Sequence, residues 1–110
     1  TVINGGMSGN TVTFDSGEND TSVLTGVTVE NGGTGIYCYY SDPTIQKCVV
    51  RYSKTGPGID CSFASPVIDQ CQVRENSSYG ISGSGGTIKD STIAQNFSYG
   101  LSNCNGFTHY

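Results

Sequence analysis

The sequence predicts an all-β solenoid, a right-handed parallel β-helix of about five coils. Three observations carry this. A β-branched residue followed by Ile or Leu returns at Val2-Ile3, Val23-Leu24, Thr44-Ile45, Val67-Ile68 and Thr87-Ile88, with spacings of 21, 21, 23 and 20 residues. Apolar residues two apart recur inside each period, as in Val27/Val29, Cys48/Val50, Cys71/Val73, Ile36/Cys38 and Ile59/Cys61. A Gly-apolar step closes each period at Gly35-Ile36, Gly58-Ile59, Gly80-Ile81 and Gly100-Leu101. A fixed period near twenty residues is the mark of a repeat architecture. Period-two alternation is a strand with one buried face.

The elements follow in order. Each coil holds about three short strands, too few apolar groups to fold alone; stacking coils about 4.8 Å apart makes one continuous core. The first strand carries the β-branched pair. The second carries the column Val29, Val50, Val73 and Ile93, with Val27, Cys48, Cys71 and Ser91 two residues earlier. The third begins at the Gly-apolar step. Asp42-Pro43, Ser65-Pro66 and Gly86-Thr87 mark one turn, where Pro suits the start of a strand. Ser53, Asn76 and Asn96 mark another, where Asn suits a left-handed corner and can bond to its copy in the next coil. The last coils show the repeat most plainly, NSSYGIS (76–82) against NFSYGLS (96–102). The chain of 110 residues thus reads as one β-helix domain, with 1–20 a degenerate first coil and 21–106 regular coils.

Composition narrows the function. Five basic residues and a net charge of -4 argue against a nucleic-acid partner. No stretch is apolar enough to span a membrane. There is no signal peptide and no initiator Met at Thr1, so a processed product or an excised piece is expected. Five Cys leave at least one thiol unpaired within the chain.

The segments GIYCYYSDPTIQKC (35–48) and GIDCSFASPVIDQC (58–71) resemble the repeats of the pectate-lyase-like superfamily of right-handed parallel β-helices. The likeness is strongest to Ser/Asn/Gly-rich repeats of large secreted and surface proteins of bacteria. It covers residues 21–106; GGMSGN (5–10) departs from it, and VTF (12–14) resumes it. The resemblance implies a secreted or cell-surface location. Superfamily enzymes are lyases, hydrolases and epimerases acting on polysaccharides, and many other members are noncatalytic stalks, adhesins or sugar-binding surfaces. One fold hosts many functions, so the site must decide.

The outward column of the Gly-apolar strand reads Tyr37, Asp60, Ser82, Ser102, flanked by Tyr39, Ser62, Ser84 and Cys104. Superfamily enzymes carry their site on this face. Glycoside hydrolysis needs two carboxylates, and this column has one, Asp60. Similar lyases use an acidic calcium cluster with an Arg as base, but Arg51 and Arg74 stack on another face. Tyr37, Tyr39, Tyr40 and Phe63 lie near Asp60. These five are the candidate carbohydrate-binding residues; the plainer alternative is an aromatic ladder that stabilises the sheet. Tyr79 over Tyr99 reads as a structural stack.

Other motifs read structurally. Cys48 over Cys71 and Cys38 over Cys61 are expected as reduced, buried ladders, because parallel neighbours have poor disulfide geometry. Cys104 is the thiol expected to react. One His and no C-x-x-C pair argue against zinc. Asp15, Glu18 and Asp20 in DSGEND read as a solvated turn rather than a calcium loop. The Asn-x-Ser/Thr triplets at Asn19, Asn76 and Asn96 read as turns. Glu30 over Arg51 and Asp69 over Lys89 are expected as register-setting charge pairs. The leading expectation is a noncatalytic module, structural or carbohydrate-presenting, without cofactor or metal. The rival is a polysaccharide-active enzyme or a fragment of one. Open β-helix ends expose unpaired backbone, so end-to-end self-association or continuation into a larger β-helix is expected, with the degenerate first coil (GGMSGN, 5–10) a weak cap at one end and Phe107 and Tyr110 candidates for a cover at the other.

Overall fold

The computed structural model describes residues 1–19, 21–83, 85–98, 100–102 and 106–109, the last four for backbone only. Its first two coils run β1 (Val2–Asn4), β2 (Asn10–Phe14), β3 (Val23–Thr25), then β4 (Thr28–Glu30), β5 (Thr34–Tyr39), β6 (Thr44–Gln46). The third is β7 (Val49–Arg51), β8 (Ile59–Ser62), β9 (Val67–Asp69). The fourth is β10 (Gln72–Arg74), β11 (Ile81–Gly83), β12 (Gly85–Lys89). The fifth is β13 (Thr92–Ala94), β14 (Leu101–Ser102), β15 (Gly106–His109). Every third strand joins one sheet: β1-β4-β7-β10-β13, β2-β5-β8-β11-β14 and β3-β6-β9-β12-β15. All described pairings are parallel. Five strands per sheet make four full turns from first to last.

The repeat columns become stacked side chains. Val29, Val50, Val73 and Ile93 pair in register in the first sheet; Ile36, Ile59, Ile81 and Leu101 in the second; Leu24, Ile45, Ile68 and Ile88 in the third. The middle members are fully buried and form one core. Burying each such side chain contributes about 1.5–3 kcal/mol. Gly58 shows why a glycine precedes the second-sheet strand β8. A Cβ there would lie 2.6 Å from Asn76 Nδ2 and 2.9 Å from the Gly80 carbonyl oxygen of the next coil.

Three expectations need correction. Val2-Ile3 does not head the Leu24 column: it stacks on Thr28-Val29 in the first sheet. The first coil is longer, 26 residues from Ile3 to Val29, and absorbs the Gly-rich turn and the 15–22 loop. Asn76 and Asn96 are not at the left-handed corner. That conformation falls one residue earlier, at Asn31, Tyr52, Glu75 and Gln95, with φ of 57° to 64°. Asn76 instead turns inward, 3% exposed, where its Oδ1 accepts from Ser53 N (3.1 Å). Its Nδ2 donates to Val50 O (3.2 Å) and to Asn96 Oδ1 (2.9 Å). Finally, 106–109 adds a strand beside β12 rather than folding over the end; the side chains of Phe107 and Tyr110 lie outside the described residues.

Of the charge pairs, Arg51 meets Glu30 at 2.9 Å. Lys89 stacks on Asp69 in register, but the two form no ion pair, and Asp69 Oδ1 is buried without a hydrogen-bond partner. Arg51 and Arg74 stack on the outer face as expected.

Candidate functional site

The five candidate residues come from two adjacent coils at one edge of the second sheet. Tyr37 and Tyr39 point outward from β5, alternating with buried Ile36 and Cys38. Asp60 of β8 lies beside Tyr37, and Ser62 beside Tyr39. Tyr40 and Phe63 follow the two strands at the next corner and are linked there by Tyr40 N donating to Ser62 O (3.3 Å).

The rings form one cluster. Tyr37 and Tyr39 are stacked with centroids 6.0 Å apart, and Tyr40 and Phe63 with centroids 5.0 Å apart and planes 6° from parallel. Tyr39 meets both Tyr40 (4.7 Å) and Phe63 (6.3 Å) edge to face. Yet the cluster stays in solvent: Tyr39 is 39% exposed, Tyr40 61% and Phe63 65%.

Its corner conformation was not legible in the sequence. Tyr40 and Phe63 have φ of 49° and 53°, in the left-handed region. The β-helix needs such a residue wherever the chain turns between sheets, and Lys47, Gln70 and Asp90 do the same after the third sheet. A non-glycine side chain there costs about 1–2 kcal/mol, least for Asn or Asp. The coil geometry imposes the corner; it does not ask for an aromatic ring.

Asp60 is the only carboxylate in its outward column, where the register runs Thr13, Tyr37, Asp60, Ser82, Ser102. Its Oδ1 accepts from Ser62 Oγ at 3.0 Å. Ser84, Tyr99 and Cys104 lie outside the described residues. Among the described residues no group of three His, Cys, Asp or Glu is placed to hold a metal ion.

The four described cysteines are buried, and Cys38, Cys48 and Cys71 are free thiols. Cys38 and Cys61 pair in register. The Cys71 thiol donates to Ile45 O (3.4 Å) and Asp69 O (3.5 Å). The neighbouring Cys48 and burial both push its pKa up, so it stays a thiol.

A second surface feature lies at the corner after the first sheet, a groove of about 390 Å³. It is lined by Tyr52, Lys54, Glu75, Ser77, Gln95 and Phe97 together with the buried Ser53 and Asn76. Phe97 is 86% exposed. Arg51 covers the Tyr52 ring at 4.8 Å, and Arg74 pairs with Glu75. Sequence reading missed this groove because its lining lies in the turns after β7, β10 and β13, outside the strands where alternation gives direction.

A three-sided parallel solenoid defines a class, the β-helix repeat proteins. The chain belongs to the right-handed β-helix family, whose model matches residues 3–109. Comparisons with curated proteins and with solved structures found no match.

Proposed function

We propose that this β-helix is a noncatalytic module of a secreted or cell-surface protein that binds saccharide chains on the Tyr37–Tyr39–Tyr40–Phe63 platform. The observation that carries the reading is the exposure of Tyr40 and Phe63, 61% and 65%, at left-handed corners. A ladder built for stability would cover its rings, and these stand in solvent. Flat apolar faces of hexoses stack on such rings, each aromatic contact contributing roughly 0.5–1.5 kcal/mol by analogy with ring pairs. The location follows the resemblance of the repeats to those of secreted and surface proteins. The catalytic alternative is weaker, because Asp60 has no carboxylate above or below it, whereas glycoside hydrolysis takes two.

The test separates ligand platform from structural ladder. In Tyr40→Asn/Phe63→Asn the lost stacking, about 0.5–1.5 kcal/mol, is offset by relief of two left-handed corners. The reading expects a midpoint in urea close to the parent's and loss of retention in gels containing a soluble polysaccharide. A large fall in stability with retention unchanged would leave the ladder as the better account.

A further inference from the structure

We infer that the platform selects uncharged saccharide chains and rejects polyuronates. This rests on the saccharide-binding reading above and adds the charge class of the ligand.

The observation is a segregation of charge. The five basic residues are Lys47, Arg51, Lys54, Arg74 and Lys89. Arg51 and Arg74 lie in the first sheet, Lys89 at the end of β12 in the third, Lys47 at the corner after the third sheet, and Lys54 in the turn after the first. None lies in the second sheet or at the corner that follows it, where the platform sits.

Carboxylates gather there instead. Asp60 is the register neighbour of Tyr37. Asp42, two residues beyond Tyr40, is held by Ser65 N donating to its Oδ1 at 2.7 Å, two residues beyond Phe63. The loop carrying Asp15 and Glu18 is tied to the same corner. Gly17 N donates to Ser41 Oγ (3.1 Å) and Asp42 N to Glu18 O (2.7 Å). The two ion pairs among the described residues, Glu30–Arg51 and Glu75–Arg74, use none of these four carboxylates.

Anionic saccharides are recognised through cations: Arg forks a carboxylate or sulfate, and Lys neutralises it. This surface offers rings, hydroxyls and carbonyls, all suited to an uncharged sugar. Its unneutralised carboxylates act on a charged ligand through a field that raises or lowers encounter and affinity. A polyuronate meets repulsion along its length and gains no charged hydrogen bond in return. An uncharged glucan feels no net force and keeps the stacking contacts.

The experiment is affinity electrophoresis of the 110-residue chain in gels containing hydroxyethylcellulose or polygalacturonate, with a chelator present to stop calcium bridging carboxylates. The expected result is retention by the neutral polymer, insensitive to ionic strength, and retention by polygalacturonate weaker by about tenfold or more. Asp42→Asn/Asp60→Asn should narrow that difference. Polygalacturonate retention equal to or stronger than the neutral polymer's, and lost in Tyr40→Asn/Phe63→Asn, would overturn the charge selectivity while leaving the platform standing. Retention by neither polymer would overturn both.

Discussion

Asn76 and Ile68 define what a single position contributes. Asn76 accepts from Ser53 N and donates to Val50 O and Asn96 Oδ1, tying three coils together from the inside. Asn76→Ala leaves buried backbone groups without these partners, at a cost of about 1–3 kcal/mol. Ile68→Ala removes a fully buried side chain between Ile45 and Ile88 and should cost about 2–5 kcal/mol. Thr92→Ala, at an exposed position of β13, should stay within about 0.5 kcal/mol. Denaturant melts of the three variants check the order, and equal losses would contradict the inward and outward assignment. The Ile and Asn columns were legible because they repeat as identities in the sequence. The left-handed corners were not: Tyr40, Lys47, Tyr52, Phe63 and Glu75 have no intrinsic preference for positive φ, and only the solenoid's turning places them there.

At the level of strands, alternation settled nearly everything that faces the core. The second sheet buries Ile36, Cys38, Ile59 and Cys61 and turns Tyr37 and Asp60 outward, as period two requires. The five candidate residues were therefore placed together by register alone. Alternation could not give ring exposure, which depends on the corner, nor the groove between Tyr52 and Phe97, which is lined by turn residues outside the strands. It also mispaired β1, since a β-branched pair followed by a turn fits the first and third sheets equally well, and the long first loop decides. Cys38, Cys48, Cys61 and Cys71 should resist iodoacetamide in the native protein and react after unfolding, as buried thiols do. Mass spectrometry of digests reads this directly; ready native labelling of any of the four would contradict their burial.

The whole molecule is a stack whose interior contacts repeat from coil to coil. Its outermost coils leave Leu24 at one end and Ile93 and Leu101 at the other only partly covered, each packed against the core on one side. We propose that the isolated 110-residue chain associates end to end, the fifth coil of one copy meeting the first coil of another as neighbouring coils meet within the chain. The contact would be apolar and backbone-paired, so it should persist in high salt. Sedimentation over a dilution series should show concentration-dependent growth, and a monomer at high concentration would refute it. On the lateral surface, the proposed function is that one aromatic edge of the β-helix holds an uncharged saccharide. The most direct measurement is a backbone and aromatic NMR titration with cellohexaose. The account predicts shifts centred on Tyr37, Tyr39, Tyr40, Asp60 and Phe63, with Tyr52, Ser77 and Phe97 unmoved. Shifts centred on the Tyr52–Phe97 groove, or none at saturating ligand, would contradict it.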